Sequence, residues 1–273
     1  MPLGLQNNYL RFKLYFMSSI LFEIKDSIGF ITLNRPDKFN SFNREMALLM
    51  QDALDKCKDK AVRCVYITGT GKAFSAGQDI GELVGENAME IKQILSEHYN
   101  PIVTRIRKLE KPVIAAVNGV AAGAGANMAL CCDIVIAIQT ASFIQAFSKI
   151  GLIPDSGGTF TLPRLIGWQK ASALMMLGEK VMAADAEKMG MIYKVFPEDT
   201  FTENAMLIAH YLAKMPTKGL AYTKQALNNS IVNSWEEQLK DEDLFQQRAA
   251  QTADYKEGVQ AFLEKRQPDF NGE

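Results

Sequence analysis

Cysteine is scarce in this chain and its spacing is unordered. Cys57, Cys64, Cys131 and Cys132 are the only four in 273 residues, and no two form a CxxC pair. A zinc site and a disulfide framework both need regular spacings, so neither is supported. All four lie in apolar or helical stretches and read as small core residues, which fits a reducing, cytoplasmic compartment. Histidine is scarcer still, with His98 and His210 alone. Charge of one sign is also lacking: 30 Lys+Arg face 31 Asp+Glu, a formal net charge of −1. Nothing in that balance argues for a nucleic acid or an acidic membrane surface as partner. No uninterrupted apolar run reaches membrane-spanning length. The phosphate-loop patterns GxGxxG and GxxxxGKS/T are absent too, as are tandem repeats and low-complexity linkers. An anionic ligand would have to be met by local cations or by backbone dipoles.

What is present is ordinary for a globular protein: 48% hydrophobic and 22% charged residues, enough for one sizeable core. Residues 1–16 differ from the rest. Leu10 to Phe16 is apolar with two cations and no small-residue cleavage site after it, so it reads as a non-structural extension. A weak targeting signal stays open as the alternative.

From residue 17 the chain alternates. Ile20–Ile24 and Phe30–Leu33 read as a hairpin around Asp26-Ser27-Ile28-Gly29. Asn43 is a candidate N-cap for a helix over Arg44–Lys58. Strands are expected at Val62–Thr68, Val113–Val117 and Asp133–Ile138, with a helix from about Ala88 to Leu109. Such alternation implies an α/β fold with a mainly parallel sheet. Beyond Gly178 helices dominate, over Ala183–Met189, Glu203–Lys214, Thr217–Asn228, Ser234–Ala249 and Ala253–Lys265. The expected organisation is an α/β core over 17–200 and a helical C-terminal region over 201–273.

Three segments carry chemistry. Gly71 to Ile80 follows a buried strand, Val117 to Asn127 is Gly-rich between a strand and a helix, and Ile150 to Thr159 contains Pro154-Asp155-Ser156-Gly157-Gly158. Small residues at a helix start leave N–H groups unpaired and approachable, which suits an oxyanion. They equally suit tight packing of helix on sheet. Two such turns on parallel strands could aim two N–H groups at one carbonyl oxygen. Asp155 reads either as a turn former or as a carboxylate whose pKa is raised by Phe147, Ile150, Leu152 and Ile153. Arg105, Arg107, Lys108 and Lys111 read as a solvated helix face, and His98 as a surface or packing residue.

Together the chain resembles the crotonase superfamily, the enoyl-CoA hydratase/isomerase family, from about Ile20 to Phe270. The likeness is carried in order by Leu33-Asn34-Arg35-Pro36, by Ala73 to Ile80, by Lys111 to Gly119, and by Gly157-Gly158-Thr159 with Leu162-Pro163-Arg164. It implies a spiral of ββα units, a helical trimerisation region, trimers that pair into hexamers, and CoA thioester substrates. It implies no permanently bound cofactor and no metal, CoA being part of the substrate. The oxyanion donors would be the backbone N–H groups of Gln78 and Ala124, the Gln78 side chain being incidental to that role. Gly123, Asn127 and Phe147 would shape the pocket, and Asn127 would either bind substrate or hold the loop. Adenine would lie on Ala76–Gln78, and Lys38 and Phe39 would meet pantetheine and phosphates.

The family's hydratases use two glutamates, and by ungapped offset those places hold Asn127 and Phe147. Phenylalanine can neither position nor deprotonate water, so hydration is not the expected main activity. The acid of the family's isomerases falls on Asp155, and Ser142 to Thr159 resembles most the branch that isomerises a ring epoxide carried on CoA. The expected activity is that of an acyl-CoA isomerase, on the ring epoxide or on 3-enoyl-CoA. Two rivals stay open: a hydrolase or dehalogenase with Asp155 as nucleophile, and a CoA-thioester-binding protein without turnover. The first needs a histidine where this chain has Thr104.

Overall fold

The computed structural model describes residues 18–86 and 88–273; the expected extension over 1–16, and Met17 after it, lie outside the described residues. Strands β1 (Ile20–Lys25) and β2 (Ile28–Leu33) form the expected hairpin. Its turn is tighter than the sequence suggests, only Asp26 and Ser27, both at positive φ. Two residues in that conformation match the right-handed twist of the flanking strands, so pairing runs on to Lys25 and Ile28.

The chain then repeats one path three times. A strand of a larger sheet (β3, Cys64–Gly69; β5, Val113–Val117; β7, Ile134–Ile138) turns within two or three residues into a three-residue strand of a smaller one (β4, Ala73–Ser75; β6, Val120–Ala122; β8, Ser142–Ile144). Helical structure follows each pair. This is the expected ββα spiral. The smaller sheet, in the order β4-β6-β8-β9, ends on the antiparallel β9 (Lys180–Met182). The larger sheet, in the order β1-β2-β3-β5-β7-β10, is closed by β10 (Lys194–Phe196) and is parallel from β2 onward.

The larger sheet is covered on both faces, which explains its near-continuous apolar strands. Val65, Ile67, Val113, Ala115 and Val117 point into the main core, shared with Phe74, Ala121 and Phe143 of the smaller sheet. Helix α1 (Arg44–Lys56) closes this core with Met46, Met50 and Leu54, and Asn43 caps it by accepting from the Met46 N–H at 3.0 Å. Cys64, Tyr66, Ile114 and Ile136 point the other way, onto Phe201, Ala205, Ala209 and Ala213.

The long helix expected over 88–109 is not uniform. It opens with a turn at Ile91–Gln93, widens to a π-helix over Ile94–Tyr99, and continues as α2 (Asn100–Lys108). Pro101 has no N–H to give the Glu97 carbonyl, and the Gln51 amide donates to that carbonyl instead, at 2.7 Å. Helix α3 (Ala124–Leu130) is wholly buried. Helices α4 (Gly158–Ile166), α5 (Trp168–Leu177) and α6 (Ala183–Lys188) complete the core, followed by α7 (Phe201–Lys214), α8 (Thr217–Asn229), α9 (Trp235–Ala250) and α10 (Ala253–Glu264). Among the described residues no helix is long and apolar enough to cross a membrane.

One basic residue departs from the solvated face expected of it. Lys111 is buried, and its ammonium donates to the carbonyls of Cys57 and Asp59. It ties the end of α1 to the start of β5. All four cysteines are buried and free.

Candidate active site

Strands β4, β6 and β8 are parallel neighbours, so their C-terminal ends open side by side. The residues just beyond them are Ala76 and Gln78, Gly123 and Ala124, and Ala146 and Phe147. All six line one cavity of about 520 Å³. A ligand crevice beyond the carboxyl ends of parallel strands is where open α/β sheets place their sites. The opposite wall is apolar, with Leu83, Ile94 and Leu95 leading to Tyr99.

Backbone hydrogen bonds fix which way two N–H groups face. The Gly77 carbonyl accepts from the Phe42 N–H at 2.7 Å. In a trans peptide the N–H lies opposite the carbonyl, so the Gln78 N–H points away from Phe42, toward the cavity. Likewise the Gly123 carbonyl accepts from the Asn127 N–H at 3.1 Å, which turns the Ala124 N–H outward from α3. Neither N–H has an acceptor among the described residues. The two turns touch. A Cβ on Gly77, whose φ is +88°, would stand 2.9 Å from the Ala122 carbonyl and 3.3 Å from the Ala124 nitrogen. Only glycine allows that approach, which sets the two turns side by side.

Asp155 is the one carboxylate on the cavity wall among the described residues. Its peptide is held from two sides. The Gly158 N–H donates to its carbonyl at 2.8 Å and the Asn127 amide at 2.9 Å, while the Gln145 amide donates to the Asn127 oxygen at 2.8 Å. Asn127 is therefore committed to the loop. The Asp155 side chain accepts from the Ser156 hydroxyl at 2.8 Å. Burial pushes the carboxyl above the usual aspartate range, and the Ser156 hydrogen bond opposes that rise in part. Of the apolar neighbours expected around it, Phe147 is buried, whereas Ile150, Leu152 and Ile153 line the cavity at a solvent-exposed mouth.

The expected site residues separate into those that line the cavity and those that do not. Gln78, Gly123, Ala124, Phe147, Ala76 and Asp155 share it, with the Phe147 ring directly against Gly123. Lys38 and Phe39 are exposed and outside it, though the Phe39 carbonyl accepts from the Ala76 N–H at 2.9 Å, which places their loop beside the wall. His98 is buried, with neither ring nitrogen partnered, and it does not line the cavity. Burial pushes its pKa down.

The Gln78 side chain, expected to be incidental to oxyanion donation though able to shape the pocket, is held by hydrogen bonds on both sides. Its carbonyl accepts from the Tyr99 hydroxyl at 3.0 Å and its amide donates to Glu82 at 2.9 Å. Tyr99 and Ser156 line the cavity, and Glu82 stands behind Gln78; sequence reasoning missed all three. Tyr99 had one available signal: it lies two residues before a proline inside a helix, where a widened turn redirects side chains. Among the described residues no cluster of histidine, cysteine and acidic side chains could hold a metal ion.

The sequence profile described as Enoyl-CoA hydratase/isomerase matches residues 23–273. The chain belongs to that family, the crotonases. It is similar to a 1,2-epoxyphenylacetyl-CoA isomerase of Escherichia coli K12, at 45% identity over 94% of this chain and 99% of that one. A 2,3-dehydroadipyl-CoA hydratase of the same organism is 34% identical over 94% and 100%. In structure it is similar to an enoyl-CoA hydratase of Bacillus anthracis, with a TM-score of 0.88 and 33% identity over 93% of this chain and 100% of that one. Relatives of both activities thus share the fold, and the residues around the cavity must decide between them.

Proposed function

We propose that this crotonase is an acyl-CoA isomerase, with Asp155 as its acid–base and the N–H groups of Gln78 and Ala124 as its oxyanion donors. The observation that carries this reading is that, among the described residues, a single carboxylate stands on the cavity wall. Hydration needs groups that hold and deprotonate a water. The positions that would supply them carry Asn127, which is engaged by the Asp155 carbonyl and Gln145, and Phe147, which is apolar. One carboxylate suffices to move a proton.

On a 3-enoyl-CoA, the Asp155 carboxylate removes a proton from Cα, and the electron pair moves onto the thioester oxygen, where the two N–H groups hold it. The same carboxyl then returns the proton to Cγ, and the double bond ends between Cα and Cβ, conjugated with the thioester. Each fixed donor of this kind typically contributes ~10²–10³ in rate. The buried ring of Phe147 keeps water from the intermediate. The likeness to the Escherichia coli isomerase supports 1,2-epoxyphenylacetyl-CoA, rearranged to oxepin-CoA, as a second substrate. No permanent cofactor is needed beyond the CoA of the substrate, with Ala76 and the Lys38–Phe39 loop at its adenine and phosphate end.

A covalent hydrolase is disfavoured by Thr104, which stands where that branch needs histidine. It is exposed and lines a different cleft. The test is to offer the purified protein 3-enoyl-CoA, the ring epoxide and 2-enoyl-CoA separately, and to resolve products by mass and chromatography. Isomerised products without added water are expected. A 3-hydroxyacyl-CoA as the main product would overturn the reading.

A further inference from the structure

We propose that Tyr99, Gln78 and Glu82 form a side-chain relay that positions the Gln78 N–H for the oxyanion, beyond what the backbone alone secures. This rests on the isomerase reading above. The order of the relay follows from donor chemistry. A carboxylate only accepts, so the Gln78 amide nitrogen faces Glu82 at 2.9 Å and its carbonyl faces Tyr99 at 3.0 Å. The phenol must therefore donate. The far oxygen of Glu82 accepts from the Arg44 N–H at 2.8 Å, at the first turn of α1. The relay thus runs from the cavity wall to a helix anchored in the main core.

Its two ends differ in a way that gives it direction. Tyr99 is fully buried, the last residue of the π-helical turn, and its phenol is held far above the usual range by burial, with the charges of Asp155, Glu82 and Asp79 adding to the rise. It stays protonated. Glu82 accepts from the Gln78 amide and so polarises it, which strengthens the bond that amide accepts from Tyr99. The Gln78 peptide is otherwise clamped on one side only, by Phe42, whose N–H and carbonyl bond Gly77 and Asp79 at 2.7 and 2.8 Å. When negative charge develops on the thioester oxygen, its pull falls on the unclamped side. The relay grips the residue there. Tyr99, Gln78 and Glu82 are positioning residues in this scheme, since the N–H alone touches the reacting atoms.

The test uses the full chain, with Tyr99→Phe and Gln78→Met, the latter keeping side-chain length at a half-exposed position. Two readouts are needed: kcat and KM on a 3-enoyl-CoA, and the absorbance of bound dimethylaminocinnamoyl-CoA, whose red shift reports how strongly its carbonyl is polarised. Each variant is expected to lose about 10-fold in kcat with KM little changed, and part of the red shift. The double variant should be no worse than Gln78→Met alone, because the relay acts as a unit. A full red shift and parental kcat in both variants would overturn the relay, even if melting temperature fell. A parent protein that binds the chromophore without any red shift would overturn the oxyanion reading itself, which is a distinguishable failure.

Discussion

A carboxylate that must take a carbon-bound proton and give it back works best as a reluctant anion. Asp155 is held so by burial, against which the Ser156 hydroxyl stabilises the charged form. In the proposed mechanism its ionised form is the base, so the rate should fall as pH drops through a value above the ~4 of a free aspartate. Ser156→Ala removes a bond to the anion and should move that acid limb to higher pH, as read in a kcat–pH profile; an unmoved limb would count against it. The same shift has a consequence for stability. A carboxyl whose pKa is raised on folding contributes fully below its unfolded value, and that contribution is lost as pH rises through the folded value. At neutral pH Asp155→Asn should therefore melt higher than the parent, and a lower melting temperature would contradict the burial argument.

Elements place these residues, and one buried ion pair ties the C-terminal helix α8 to the core. Lys224 of α8 donates to Asp133 at 2.7 Å, to the Ile106 carbonyl at 2.7 Å and to the Lys111 carbonyl at 3.2 Å. Asp133 also accepts from the Val113 N–H at 2.8 Å, and its own burial pushes its pKa up despite the ammonium beside it. Lys224→Met leaves that carboxylate and two carbonyls without their donor and should cost about 3–5 kcal/mol in urea unfolding. Strands β5 and β7 and helices α6 to α10 were legible in the sequence to within a residue or two, because buried β-branched runs and helical stripes such as Phe201-Ala205-Ala209-Ala213 carry a clear period. The smaller sheet was not. Its strands are three residues long, too short for any period, and they look like parts of Gly-rich loops. Yet their ends form the site. The Gln78 and Ala124 N–H groups came forward as proposed oxyanion donors only through family resemblance, and the contact of Tyr99 with Gln78 was not legible, because Tyr99 is far off in sequence and ends a π-helical turn.

At the scale of the molecule, the described chain leaves large apolar side chains uncovered. Tyr255, Val259, Phe262 and Leu263 of α10, with Pro216 and Phe270, line one groove, and Phe262 is 82% exposed. Patches of this kind mark interaction surfaces. The partner we propose is a second copy of the chain, in trimers that pair into hexamers. Sedimentation should give three or six times the 30.3 kDa protomer mass. Phe262→Glu with Leu263→Glu should yield monomers, and an unchanged mass would place the interface elsewhere.

The most direct test of the central claim compares the parent with Asp155→Asn for ultraviolet appearance of conjugated 2-enoyl-CoA from 3-enoyl-CoA, alongside binding of the 2-enoyl product. Turnover by the parent and a loss of ~10²–10⁴ in the variant, with product binding kept, is the expected result. Parental turnover in Asp155→Asn would contradict an isomerase that moves its proton on this carboxylate.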